Sequence, residues 1–255
     1  MSIAVVLIQI LPVRISADVK QGDDLPAMIV SAAHSAGTEI LTRDIIVVAQ
    51  KVISKAEGRV VDLLAIKPSR KARNLAGRHG KDPRLVEIIL QESRRLVRAR
   101  NGVLITETRH GFVCANSGVD QSNVQGKSHV ILLPIDPDKS ASRIRNGIRM
   151  ICNRNVAVVI TDTFGRPFRN GQTNVAIGIA GISPIKSYIG SSDMYGRDLR
   201  VTEIAIVDEI ASAAELVMGK SDRVPVAILR GYKFEPAQRS TIRVLLRSKE
   251  KDLFR

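Results

Sequence analysis

Short apolar runs, separated by polar and glycine-bearing stretches, set the rhythm of this chain. Residues 156–160 (VAVVI) are wholly apolar, the pattern of a strand buried on both faces of a sheet. The run breaks at Thr161-Asp162-Thr163. A turn is predicted through Gly165, Pro167 and Gly171, followed by a glycine-rich strand over residues 173–182. Other strands are predicted over residues 2–10, 45–49, 103–106, 112–115, 129–134 and 224–229. Arg109-His110-Gly111 turns a hairpin between the third and fourth of these segments.

Helical signals lie between the strands. Asp23 or Asp24 is placed to cap a helix over residues 25–36, which stops at Gly37. Residues 68–100 read as helical: Pro68 opens one helix that ends near Gly77, and Asp82-Pro83 opens a second. Leu85, Ile88, Ile89 and Leu96 share the inward face of that second helix. Asp136-Pro137 starts a helix running to about Asn153, and residues 208–218 form another, closed by Gly219. Residues 50–59 (QKVISKAEGR) follow an apolar strand with two lysines, a glutamate and a glycine, and read structurally as a hairpin loop. The succession is that of a mixed α+β protein. With no sharp linker, repeat or low-complexity stretch, residues 1–255 are expected to form one unit or two interleaved subdomains.

Composition changes this picture in one respect. The formal charge of +14 favours anionic partners: nucleotides, phosphorylated metabolites or nucleic acid. Aromatic content of only 3% leaves few platforms for stacking single-stranded bases, which disfavours sequence-reading RNA modules. The basic residues of segment 70–100 form a solvated surface or steer an anion toward a neighbouring site. Cys114 and Cys152 cannot staple a chain this long and read as buried apolar residues in a reducing compartment. The apolar run at residues 3–10 has no Lys or Arg before it and is too short to span a bilayer. A strand, no membrane segment and a cytoplasmic location are expected.

Candidate chemistry narrows further by elimination. Gly219-Lys220-Ser221 resembles the end of a phosphate-binding loop, but Ala214 stands where that motif needs its first glycine, and a helix precedes it. His34, His79, His110 and His129 are scattered, and no cysteine pair supports zinc. No Gly-x-Ser-x-Gly elbow is present. A metal here would be a hard cation held by oxygen, with Asp120 and Asp162 the best ligands, each in a polar segment after an apolar strand. Asp162 equally suits a turn cap, with Arg166 and Arg169 solvated. The residues alone lead to a basic, metal-using, nucleotide-handling enzyme.

Three segments in order go further. Residues 53–59 (ISKAEGR), residues 116–123 with their Gly-Val-Asp-x-Ser-Asn core, and residues 160–166 (ITDTFGR) resemble the coenzyme F420-0:L-glutamate ligase family. Tyr195-Gly196-Arg197 and the run from Val207-Asp208-Glu209 to Pro225 support the likeness, which is collinear over about residues 3–232. The resemblance implies a GTP-dependent ligase that joins L-glutamate to the carboxylate of a phospholactyl deazaflavin. It also implies an intertwined α+β homodimer that uses Mg²⁺ or Mn²⁺ and responds to K⁺. Asp120 and Asp162 would hold one divalent ion, and Thr163 would serve a second. Leu11, Pro12, Val13, Arg14, Gln50, Lys51, Lys55, Asn123 and the segment Met218, Gly219, Lys220, Ser221, Asp222 would surround GTP. Lys55 and Asp162 would take part in catalysis; on physical grounds apart from the resemblance, Arg166 and Arg169 suit paired hydrogen bonds to the substrate's phosphodiester or to the carboxylates of glutamate. Some relatives carry a carboxylate at the position of Lys220, so this chain departs from them at the second metal.

Two rival readings remain. One keeps the chemistry and changes the acceptor to another phosphorylated acid. The other is a basic nucleic-acid-binding protein, which predicts steeply salt-dependent binding but leaves the acidic positions 120 and 162 without a role.

Overall fold

A computed structural model describes residues 7–122 and 126–252. The strands are β1 (Gln9–Val13), β2 (Ile45–Ala49), β3 (Val60–Asp62), β4 (Ser93–Arg100), β5 (Val103–Thr108), β6 (Val113–Ala115), β7 (His129–Ile131), β8 (Ala157–Arg166), β9 (Arg169–Ala180), β10 (Lys186–Ser187), β11 (Glu203–Ile204) and β12 (Val226–Arg230). The helices are α1 (Leu25–Ser35), α2 (Gln50–Ala56), α3 (Arg70–His79), α4 (Pro83–Gln91), α5 (Pro137–Cys152) and α6 (Ile206–Met218). The fold is α+β.

The main sheet runs β1-β12-β2-β8-β9. Only β2 and β8 are parallel, with Val48 opposite Ile160 and Ala49 opposite Thr161; the other neighbours are antiparallel. Residues 45–48 and 157–160 are fully buried, as expected of strands covered on both faces. Removing each of these isoleucines from water contributes about 1.5–3 kcal/mol. α5, with α1 laid against it, and α6 pack on this sheet.

The strand directions bring four chain segments to one end of the sheet. Val13 and Val48 are both paired with Val226, so β1 and β2 finish where β12 begins, and β8 passes the same level at Thr161. Beside it a smaller lobe collects β3, β7, the β4-β5-β6 sheet, α3 and α4 around Leu63, Ala76, Val86, Ile89, Leu104 and Val130. Its function in the fold is to deliver residues 116–122 to that end.

The structure corrects several expectations. Residues 50–56 are not a loop: α2 follows β2 directly. Residues 93–100 are a strand paired with β5, and Leu96 is partly exposed instead of sitting on a helix's inward face. β8 does not stop at Thr161-Asp162-Thr163 but continues to Arg166, and the reversal falls at Pro167-Phe168, because β9 pairs with it throughout. The first strand lies later than predicted: β1 is Gln9–Val13, so only Gln9 and Ile10 of the predicted 2–10 belong to it, and residues 1–6 lie outside the described residues. The helices capped by Asp24, Asp82 and Asp136 form as expected, each cap carboxylate accepting a backbone N–H.

Candidate active site

At the convergent end of the main sheet lies a cavity of about 1030 Å³. It is lined by the loop after β1 (Ile15 to Lys20), the first turns of α2 (Gln50, Lys51, Lys55), the segment Ala115 to Ser122, the middle of β8 (Thr161, Asp162, Thr163), Gln172 and Asn174 of β9, and Glu215 to Pro225.

Asp162 reaches this space from the middle of β8, beside an irregularity in its pairing with β9. Between Ile160 and Thr161 the register slips, so that Ile160 faces Gly178 but Thr161 faces Ala176, and Ile177 of β9 is left unpaired. Such a bulge bends the strand that carries it, here β9. The Asp208 carboxylate of α6 accepts the Ala176 N–H (2.8 Å) and holds the bulged strand. On the other wall, Asp120 is fixed by reciprocal backbone bonds with Ile131 (3.0 and 2.8 Å). The turn before it is set by Ser117, whose hydroxyl is bonded with Thr106 (2.7 Å) and donates to the Ile89 carbonyl. Gly118 lies at φ +70°, where a Cβ would fall 2.8 Å from the Leu133 side chain, so a larger residue here would be strained and would have to displace Leu133.

Every lysine of α2 and Lys220 meets a carboxylate. Lys51 Nζ is 2.7 Å from Asp120 and donates to Ser122 Oγ. Lys55 Nζ is 2.8 Å from Asp18. Lys220 Nζ is 2.8 Å from Glu215 and 2.7 Å from Thr163 Oγ1, while Asn174 bridges Thr163 and Glu215. Burial works against the charge of Asp120, but Lys51 and the Ser122 amide outweigh it and hold the carboxyl below its usual range. Asp162 behaves differently. Burial pushes it up to about 6; the Thr163 N–H opposes this, the negative charge of Asp120 adds to it, and Lys51 and Lys220 offset part. Burial, with the negative charge of Asp162 adding to it, pushes the Cys114 thiol up to about 12 and leaves it inert.

The sequence-predicted residues divide. Asp120, Asp162, Thr163, Gln50, Lys51, Lys55, Met218, Gly219, Lys220 and Ser221 all line the cavity. Leu11, Pro12, Val13 and Arg14 do not; the next residues, Ile15 to Lys20, take their place because Val13 is consumed in the core of β1. Asp222 lies against Gly219 without lining the cavity. Arg166 stands on the exposed β8–β9 hairpin, donating to carbonyls of Asn170 and Gly171, and neither it nor Arg169 lines the cavity. Asn123 lies outside the described residues. Gly219 does end α6, its N–H bonding Glu215 O, so the Gly-Lys-Ser string is a helix terminus and not a phosphate loop. Sequence reading missed Asp18, Asn174 and Glu215. The signal for Asn174 was its place opposite Thr163, which appears only once the hairpin register is known.

An α+β fold whose sheet end gathers oxygen donors and lysines in one large cavity defines a protein built to handle a multiply charged ligand. The comparisons make this specific. Residues 14–231 match the family model described as F420-0:Gamma-glutamyl ligase. The chain is 48% identical over 236 residues to the coenzyme F420:L-glutamate ligase of Methanothermobacter thermautotrophicus, covering 92% of this chain and 93% of that protein. It is 44% identical to the enzyme of that name from Methanopyrus kandleri, covering 97% and 98% of the two chains. The counterpart from Methanocaldococcus jannaschii is 47% identical over 83% of this chain and 84% of its own. This chain belongs to the F420-0:gamma-glutamyl ligase family and is a ligase.

Proposed function

We propose that this protein joins L-glutamate to the carboxylate of the phospholactyl deazaflavin F420-0 in a GTP-dependent reaction that passes through an acyl phosphate. The observation that carries the reading is the meeting of Asp120 and Asp162, far apart in sequence, in one cavity with Lys51, Lys55 and Lys220.

A carboxylate is a poor acyl donor because oxide is a poor leaving group. An oxygen of the acceptor carboxylate attacks the γ-phosphorus, the bond to the β-phosphate bridging oxygen breaks, and GDP leaves. The glutamate amine then attacks the acyl carbon, phosphate departs, and the amine releases its proton as the amide forms. Phosphate and carboxylate repel each other on approach, so this chemistry needs fixed positive charge. Lys51 and Lys55, on the first two turns of α2, are positioned to give it, once their hold on Asp120 and Asp18 is exchanged for phosphate oxygens. Gln50, buried with its Nε2 unpartnered, has a donor to offer in the same wall.

The donor chemistry fits a hard divalent ion: the cavity lining carries carboxylates, hydroxyls and amides but no Cys or His. Asp120 and Asp162 would hold Mg²⁺ or Mn²⁺, which when bound would shield the phosphates and lower the barrier to in-line attack. Thr163 is the weaker candidate for a second ion, because its hydroxyl already accepts from the Lys220 ammonium. Lys220 would supply part of that charge itself. K⁺ is kept as an accessory ion.

The family reading also includes a homodimer. Support comes from the exposed apolar residues Phe168, on the β8–β9 hairpin, and Ile189, Met194, Tyr195 and Val201, in the arm that carries β10 and β11.

Incubation with GTP, Mn²⁺, L-glutamate and F420-0, followed by mass spectrometry, tests the proposal. A product heavier by one glutamyl residue, with GDP and phosphate released in equal amounts, is expected. Glutamate-dependent GTP turnover on a different phosphorylated acid, with no adduct on F420-0, would assign the same chemistry to another acceptor.

A further inference from the structure

Asp120 is the most constrained carboxylate in the cavity. Its backbone is bonded to Ile131 in both directions, its Oδ1 accepts the Ser122 N–H (2.7 Å), and its Oδ2 is 2.7 Å from the Lys51 ammonium. The ammonium also donates to Ser122 Oγ at 2.6 Å. Lys51 itself lies in the first turn of α2, two residues after Ala49, whose strand partner is Thr161. Both ends of the ion pair therefore stand on rigid elements. Asp162, by contrast, makes no ion pair among the described residues, and feels Lys51 and Lys220 only through the field.

Lys51 thus occupies Asp120 Oδ2, an oxygen that a cation shared by the two aspartates would need. A dication placed on Asp120 with Lys51 still in contact would crowd like charges in a partly buried site. Lys51 must move, and it needs another anion to move to. Of the other carboxylates lining the cavity, Asp18 is engaged by Lys55 and Glu215 by Lys220, and Asp162 would be the second ligand of that same dication. With the dication in place the described residues of the cavity offer Lys51 no free anion, so the new partner comes with the ligand.

We propose that Lys51 is an internal occupant of the cation position on Asp120, which makes tight divalent-ion binding conditional on an oligophosphate that draws the ammonium away. The inference rests on the metal position proposed above. It assigns Lys51 two successive partners, Asp120 in the free protein and phosphate in the complex. It couples metal and nucleotide binding through a named side chain, and by linkage each ligand strengthens the other by the same factor. A free metal ion is then poorly retained, and the metal–nucleotide complex is the form captured.

The test measures Mn²⁺ binding by electron paramagnetic resonance or calorimetry, without nucleotide and with GDP. Wild type, Lys51→Met, Lys51→Gln and Asp120→Asn are compared. The glutamine variant repeats the neutralisation with a polar side chain should the methionine variant fail to fold. Wild type is expected to bind Mn²⁺ at least about tenfold more tightly with GDP than without. Either Lys51 variant is expected to bind Mn²⁺ alone about tenfold more tightly than wild type, with a smaller further gain from GDP. Mn²⁺ binding by the variants that is unchanged or weaker overturns the inference. If Asp120→Asn removes Mn²⁺ binding while the Lys51 variants show no gain, the inference alone falls. If Asp120→Asn leaves Mn²⁺ binding intact, the metal position fails and takes the inference with it.

Discussion

Two basic regions of this chain look alike in sequence and differ in structure. Around the cavity, Lys51, Lys55 and Lys220 each touch a carboxylate, and each is anchored to the end of a sheet strand or helix. On the small lobe, Arg70, Lys71, Arg73 and Arg78 of α3 and Arg94, Arg98 and Arg100 of β4 are exposed. The acids among them serve local structure: Glu87 accepts the Ser69 N–H, Asp82 caps α4 and Glu107 pairs with Arg95. Net charge of +14 therefore does not locate the function. What marks the cavity is opposition, with carboxylates and ammonium groups held at contact distance around one shared space. On the small lobe the charge lies on α3 and on β4, the edge strand of its sheet, where it suits a solvent-facing edge.

The largest effect that could break this contrast is expected at Asp162. Replacing it with asparagine keeps the shape and removes the anion that no lysine neutralises directly. Ligation is expected to fall at least about 100-fold, with Mn²⁺ retention in the presence of GDP falling in parallel. A variant with near wild-type turnover would show that the cavity's acid–lysine opposition is structural only.

A smaller effect follows from the displaced titration of the same group. Asp162 is raised from the ordinary carboxylate value of 3.8 to about 6 in the folded protein. Between those values the folded state binds more protons at this site than the unfolded chain does, so the group's contribution falls as pH rises from about 4 to about 6 and stays flat above. Metal-free protein treated with EDTA should then be less stable than Asp162→Asn above pH 6, by roughly 3 kcal/mol, and the difference should vanish near pH 4. Chemical denaturation of both proteins across this range reads the difference. A constant gap would mean that the carboxylate is hydrated like those of the small lobe.

What the sequence revealed follows from how local each signal was. Residues 157–160 and 45–48 were readable as buried strands because nothing polar interrupts them. Helices capped by Asp24, Asp82 and Asp136 were readable because a cap is a local bond. α2 was not, since it is 7 residues long, starts at Ala49 with no side-chain cap and follows a strand without a turn. β4 was misread because its charges and its apolar Leu96 suit a helix surface equally well; pairing with β5, a tertiary fact, decides it. Asp120 and Asp162 were chosen for their chemistry, but the partners Asp18, Asn174 and Glu215 depend on the strand order and on the hairpin register, which no local pattern encodes. Arg166 was chosen for its nearness in sequence to Asp162. The continuation of β8 carries it along the hairpin, away from the cavity lining.

The smallest expected effect is on the small lobe. Changing Arg70, Arg73, Arg94 and Arg98 together to glutamine lowers the formal charge from +14 to +10, one unit for each. All four are exposed, and none lines the cavity. At physiological ionic strength charges more than about 8 Å from a ligand are largely screened, so the Michaelis constant for GTP and the turnover should stay within about twofold. Each exposed substitution should shift stability by no more than about 0.5 kcal/mol. Steady-state kinetics at two salt concentrations and a thermal melt check both. A loss of affinity for any anionic ligand that exceeds tenfold at low salt and disappears at high salt would give these arginines an anion of their own. The contrast between the two basic regions would then be one of ligand, with small-molecule phosphate in the cavity and a polyanion on the lobe, and a filter-binding titration with RNA would be the measurement to follow.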